Sequence, residues 1–272
     1  MRTIRTYESH LSESKRTPIA LGKDLLALLY RRRRIPDSGR DECRELVSQG
    51  ADLGVKHPTN GHNALHRAIE FGHQETAIDL IKAGADMNEP TKKGGWAPLH
   101  FAIINGAWDV ALFLISAGAE VNVRDNAQGW TPLHWAIERD DRSFYKRAEV
   151  ALGLIDAGAD VNMEDFYKVT PLHMAARKGN VELAKRLVEE GANLEAVKGN
   201  IYPEFRLTPL GDAVMHGQRE TARYLIGVGA VLHPAFRSLE HLGDFFGDTS
   251  WIPEQQTRKL RRMAGMSGMF EQ

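Results

Sequence analysis

The sequence predicts an all-α repeat fold: about six helix-turn-helix units joined by β-hairpin-like fingers, with a helical C-terminal cap. Three observations carry this. A four-residue motif recurs as NALH from Asn63, APLH from Ala97, TPLH from Thr131, TPLH from Thr170 and TPLG from Thr208. A Gly-Ala-Asp-like motif follows each one, at Gly84, Gly118, Gly158, Gly191 and Gly229, with an earlier copy at Gly50, so successive glycines lie 34, 34, 40, 33 and 38 residues apart. Two apolar columns repeat in register: Leu80, Leu114, Leu154, Leu187 and Leu225, then Ile81, Ile115, Ile155, Val188 and Ile226. Such columns bury little inside one repeat and need stacked neighbours.

Each unit reads in the same way. Thr131 is a good N-cap, and Pro132 suits the first helical position, whose N–H would be unpaired anyway. Leu133, Ala136 and Ile137 then fall at helical spacing. The second helix carries the paired apolar columns and stops at a glycine suited to a C-terminal cap. The first unit is degenerate. Leu25, Leu26, Leu28 and Leu29 offer one helix and Cys43, Leu46 and Val47 the other, separated by a longer connection from Arg31 to Arg40. The expected domains are a flexible tail (1–16), a degenerate N-terminal capping repeat (17–57), five repeats (58–232) and a C-terminal helical cap with a frayed end (233–272).

A period near 33 with T-P-L-H and G-A-D-like motifs resembles the ankyrin repeat family, over roughly residues 17–232. The resemblance implies a non-enzymatic module that binds a protein partner through finger tips and the first helices of a concave face. It also implies that His66, His100, His134 and His173 are structural, hydrogen-bonding around the turn that starts each helix. The positions it assigns to partner binding are Phe71, Trp96, Ile104, Trp130, Trp135, Glu138, Arg139, Tyr167, Arg177, Lys178, Tyr202, Phe205, Met215 and His216. The row directly after the motif, Arg67, Phe101, Trp135, Met174 and Asp212, belongs to the same surface. Trp96 and Trp130 divide between interface anchors and packing residues between fingers.

Two irregularities mark candidate specificity elements, because insertions in repeats fall in loops, often on the binding face. Six extra residues lie near Asp140 to Arg147, where Phe144 and Tyr145 are expected to fold back over helix ends. Four more lengthen the finger EAVKGNIYPEFRL, which holds Ile201, Tyr202, Pro203, Phe205 and Arg206.

Other chemistries find little support. The chain has 35 Lys+Arg and 36 Asp+Glu, a net charge of −1, which gives no general drive toward nucleic acid or an anionic membrane. Eleven cations against seven acids in residues 1–50, including the run Arg31 to Arg34, read as a solvated helix end. No P-loop, GxGxxG after a strand, HExxH or GxSxG is present. Cys43 lies on an apolar helix face, where a buried thiol is expected. No ligand set for a metal and no cofactor motif emerges, no apolar run reaches the ~20 residues of a membrane span, and no secretory h-region opens the chain. The expectation is a cytoplasmic protein, monomeric on its own, with a protein partner. Two alternatives remain at this level. One is an inhibitor or immunity-type protein that blocks a toxin or hydrolase. The other is an adaptor recruiting through its C-terminal tail, where Ser238 to Leu242 is similar to the start of a SOCS box but the rest of that pattern is missing.

Overall fold

A computed structural model describes residues 17–31, 37–138, 144–199 and 207–231. Arg32 to Arg34, Arg139, Tyr202, Phe205 and the expected tail and cap (1–16 and 233–272) lie outside them. Among the described residues there are twelve α-helices and one isolated antiparallel bridge, Lys198 with Leu207. The chain divides into two compact units, residues 1–127 and 128–272.

The first unit holds α1 (Pro18–Arg31), α2 (Asp37–Ser48), α3 (Ala64–Glu70), α4 (Gln74–Lys82), α5 (Pro98–Asn105) and α6 (Trp108–Ser116). The second holds α7 (Pro132–Glu138), α8 (Phe144–Asp156), α9 (Pro171–Lys178), α10 (Val181–Glu189), α11 (Pro209–Met215) and α12 (Arg219–Gly227). Within each unit the helices pair hairpin-fashion and stack in two layers. First helices pack on first helices (α1–α3–α5 and α7–α9–α11), second on second (α2–α4–α6 and α8–α10–α12).

From α3 onward most helices have only seven to nine residues. Isolated helices that short are not stable in water, so stacking must hold them. The leucine column does this: Leu80, Leu114, Leu154, Leu187 and Leu225 are all fully buried. Each buried leucine contributes about 2 kcal/mol. The neighbouring column is less uniform, with Ile115 and Val188 only half-buried.

The glycine column is set by backbone conformation. Gly84, Gly118, Gly158, Gly191 and Gly229 have φ between 85° and 104°, and an added Cβ would meet nothing within 4 Å. Positive φ, not crowding, requires glycine there. The hydrogen bonds form a Schellman motif, with Gly84 N–H donating to Ile81 O and Ala85 N–H to Leu80 O. The following Asp or Asn closes an Asx turn, as when Asp86 Oδ1 accepts from Asn88 N at 2.8 Å. The acidic residues of these motifs therefore shape turns.

Two expectations are corrected. The connection in the first repeat is shorter than Arg31 to Arg40, because α2 already begins at Asp37. The insertion before Gly158 does not all sit in a turn. Residues 144–147 extend α8 to thirteen residues, against nine in α6. Tyr145 does not fold back over a helix end: it is 88% exposed on the added turn. Asp140 itself lies outside the described residues.

The motif histidines are fully buried. His134 Nδ1 accepts from Thr131 N at 3.3 Å and lies 2.8 Å from Thr131 Oγ1. Its Nε2 then donates across to Val169 O, one repeat on, at 3.2 Å. His173 repeats this with Thr170 (Nδ1 to Oγ1, 2.8 Å) and Leu207 O (3.0 Å). His66 lies between two acceptors, Nδ1 2.7 Å from Asn63 Oδ1 and Nε2 3.4 Å from Trp96 O, and a neutral ring donates to one of them. The Thr131 and Thr170 pattern requires a neutral ring with its proton on Nε2. Burial, with His62 nearby, lowers the His66 pKa to about 4, and burial, with Lys198 nearby, does the same for His173.

These histidines make stability depend on pH. An unfolded histidine protonates near pH 6.5, whereas these two resist protonation to about pH 4. Their contribution is complete above pH 6.5 and is lost as pH falls toward 4, reaching roughly 3 kcal/mol each. Thermal unfolding should show a midpoint that drops between pH 6.5 and 4.5, and His173→Gln should flatten that slope while lowering the midpoint at pH 7.5. A midpoint flat across the window would contradict the assignment.

Candidate functional site

Between repeats the chain forms tight fingers, each closed on itself. His57 N–H donates to His62 O, Thr91 N–H to Trp96 O, and Asp165 N–H to Val169 O. Neighbouring fingers are tied by one backbone bond each: Lys92 N to Asn60 O and Asn126 N to Gly94 O in the first unit, Phe166 N to Gln128 O and Gly199 N to Tyr167 O in the second.

The finger at Asp165 is the most sharply built. Asp165 is buried and its Oδ1 accepts from Tyr167 N (2.7 Å) and Val169 N (2.8 Å), while Oδ2 accepts from Trp130 Nε1 (3.0 Å). Lys168 stands at φ 60°, the one left-handed non-glycine among the described residues. This tight turn pushes Phe166 and Tyr167 outward, to 56% and 59% exposure. Phe166 rests against Gly129: a Cβ there would come within 2.7 Å of the ring.

The expected site residues separate by environment. Trp130 meets Trp135 edge-on at 4.8 Å, and both are half-buried. Trp96 is half-buried over its own Gly94 and beside Phe101, and its Nε1 is buried without a partner. Phe71 is half-buried under the Arg67 guanidinium, which is sandwiched between the Phe71 ring (3.6 Å) and the Tyr30 ring (3.8 Å). Ile104 is half-buried. Glu138 accepts from Arg177 Nη2 at 2.6 Å, and Lys178 Nζ donates to Glu138 O at 2.6 Å. Met215 and His216 are exposed at the end of α11. Arg139, Tyr202 and Phe205 lie outside the described residues.

The row after the motif is corrected. Phe101, Met174 and Asp212 are buried and Arg67 nearly so, leaving Trp135 as the half-open member. That position lies where neighbouring first helices pack, so it fills the stack. Phe166 was not among the expected residues. The signal was present in Asp165-Phe166-Tyr167-Lys168, two adjacent aromatics flanked directly by charged residues in a turn.

Family comparison fits this geometry. A model described as "Ankyrin repeats (3 copies)" matches residues 37–125 and 143–233, and one described as "Ankyrin repeats (many copies)" matches 108–152. The chain belongs to the ankyrin repeat family. No curated protein matches it. Ankyrin repeats are generally protein–protein interaction modules and typically non-enzymatic. Among the described residues no group of three or more His, Cys, Asp or Glu is placed to hold an ion, and no helix is long and apolar enough to cross a membrane. Burial, with Glu42 nearby, pushes the Cys43 thiol up to about 11, so it is a poor nucleophile at neutral pH.

The last ankyrin motif departs from the others, with Gly211 in place of histidine. Asp212, fully buried beside it, pairs with Lys198 Nζ at 2.5 Å. Burial raises its pKa against the pull of that lysine, and its Oδ2 has no partner. This pair ties the base of the longest finger to α11.

Lys198→Ala should therefore cost about 3 kcal/mol in denaturant unfolding, because a buried carboxyl loses its cation. A change under 0.5 kcal/mol would show that the pair contributes little. At the neighbouring finger, Lys168→Gly should raise stability by about 1 kcal/mol by relieving the left-handed conformation.

Proposed function

We propose that the chain is a non-enzymatic protein-binding module, and that its partner rests on the finger tips and the first-helix ends. One observation carries this reading. The motif row is buried in the stack, while Tyr167 and Met215, on a finger tip and a first-helix end, are each 59% exposed. Large exposed apolar side chains on a rigid scaffold suit a binding role, since their ordering cost is already met by the fold. Trp135 and Trp130, in contact with each other, are also partly open and add aromatic area. Arg177, Lys178 and Glu138 would orient a partner through charge.

Affinity capture from lysate of the source cell tests this. A protein retained by wild type should be depleted about tenfold by the Tyr167→Ala/Met215→Ala double variant, since a central tyrosine anchor is worth over 1 kcal/mol. Its melting temperature should stay near wild type, because both side chains are exposed. A partner held equally by both proteins would move the binding surface elsewhere.

A further inference from the structure

Resting on the proposed function, the chemistry of one finger tip in the first unit says what kind of segment it can receive. Thr91, Asp125 and Asp165 stand at the same place after the cap glycines Gly84, Gly118 and Gly158. In two of these fingers the aspartate turns inward onto its own tip. Asp125 Oδ1 accepts from Ala127 N at 3.0 Å, and Asp165 Oδ1 from Tyr167 N at 2.7 Å. Thr91 has no carboxylate to offer. Its hydroxyl donates to Lys93 O (2.8 Å) and accepts from Trp96 N (3.1 Å). The Lys93 N–H, at the place of Ala127 and Tyr167, makes no hydrogen bond among the described residues, and neither does the Gly94 N–H after it.

Charge at this tip is also unbalanced. Lys92 and Lys93 are both exposed. Lys92 Nζ donates to a neutral carbonyl, Pro58 O, at 3.3 Å, and the Lys93 ammonium has no hydrogen bond or ion pair among the described residues. The acids of these fingers are engaged or stand at their bases. Glu89 pairs with Lys56, and Asp125 is buried in its own turn next to Arg124. Asp52 and Asp86 close turns at the ends of second helices, and Glu120 N–H bonds to Asn88 at that level. Over the linked tips, residues 56–62, 89–96 and 124–127, four cations (Lys56, Lys92, Lys93, Arg124) stand against two acids (Glu89, Asp125), so the tip carries excess positive charge.

We propose that the Lys92–Lys93–Gly94 tip receives an aspartate or glutamate side chain from an acidic segment of a partner protein. The carboxylate does from outside what Asp125 and Asp165 do from within: it accepts from the open tip N–H, and it pairs with the two ammoniums. A nucleic acid fits less well, because tracking a phosphate backbone needs a row of cations, and this excess is confined to one tip.

The test uses the full chain and a random dodecapeptide phage library, with Lys92→Ala/Lys93→Ala for counter-selection. Peptides kept by wild type and lost on the variant should be rich in Asp and Glu. A synthetic peptide from that set should bind about fivefold more weakly to Lys92→Ala/Lys93→Ala and lose affinity as salt rises from about 50 to about 500 mM. Thr91→Asp keeps both lysines but gives the finger its own carboxylate, and it should weaken the peptide about tenfold. Thr91→Asn, which supplies an acceptor without charge, should fall between wild type and Thr91→Asp. Circular dichroism confirms that each variant is folded, and the lysine variant, altered only at exposed side chains, keeps the wild-type melting temperature.

Selected peptides that are neutral or basic would overturn the acidic partner. A peptide that needs the lysines yet binds Thr91→Asp as well as wild type would overturn the seat on the open N–H. No peptide separated by the counter-selection, or oligo-dT bound more tightly than the peptide through the same lysines, would overturn the proposal itself. Each of these outcomes leaves the proposed function standing, whereas lysate capture indifferent to Tyr167 and Met215 would overturn that broader reading independently.

Discussion

Within each unit a buried imidazole reaches across to the next finger: His66 toward Trp96 O in the first, His134 to Val169 O and His173 to Leu207 O in the second. His134 and His173 take a backbone N–H and a threonine hydroxyl on one ring nitrogen and give their proton to a carbonyl one repeat away on the other. A fully buried ring can do this only while neutral, with both nitrogens satisfied. The bond fixes two things at once: where the first helix begins, and how far away the next finger sits. Finger spacing rests on that link together with the backbone bond that joins each pair of neighbouring fingers, such as Phe166 N–H to Gln128 O.

Magnitudes separate this frame from its decoration. The outer helices carry ion pairs such as Arg186 with Asp156, whose carboxylate side chain is 66% exposed. Pairs that open to water contribute roughly 0–1 kcal/mol. The leucine column contributes about twice that per residue. The scaffold thus rests on apolar columns and buried histidines. The Asp212–Lys198 pair is a different case, since desolvating a carboxylate is costly unless its cation stays in place. It stands where Gly211 leaves the motif without a histidine, and it fastens the finger base from the side instead.

The proposed function follows from which positions the stack leaves over. Motif residues are consumed by packing, so they cannot also read a partner. What remains is the finger tips and the ends of the first helices, where side chains vary between repeats because the fold asks little of them. A partner meeting such a surface encounters rings and charges already in place, which lowers the ordering cost of binding. In the proposed reading, tip substitutions alter recognition without unfolding the chain.

The repeat class, the helix starts at Pro98, Pro132, Pro171 and Pro209, the glycine caps and the leucine column were all legible in the sequence. They depend on local rules: a proline's fixed φ, a glycine's access to positive φ, and a period that returns the same residue to the same environment. The structural role of the T-P-L-H histidines was legible too, through the family resemblance. Which aromatics face outward was not. Phe101 and Trp135 share a motif position, yet one is buried and the other half-open, because burial there depends on what the neighbouring first helix presents. Tyr145 was expected to fold back and instead stands in water on an added helical turn. Phe166 reaches the tip because of the Asp165 turn and the bare Cα of Gly129, which lies against its ring. The sequence by itself determined the repeat and its caps, because those are settled within a few residues. Only the tertiary structure decided which side chains the stack leaves exposed, because exposure is a property of neighbours about 34 residues away.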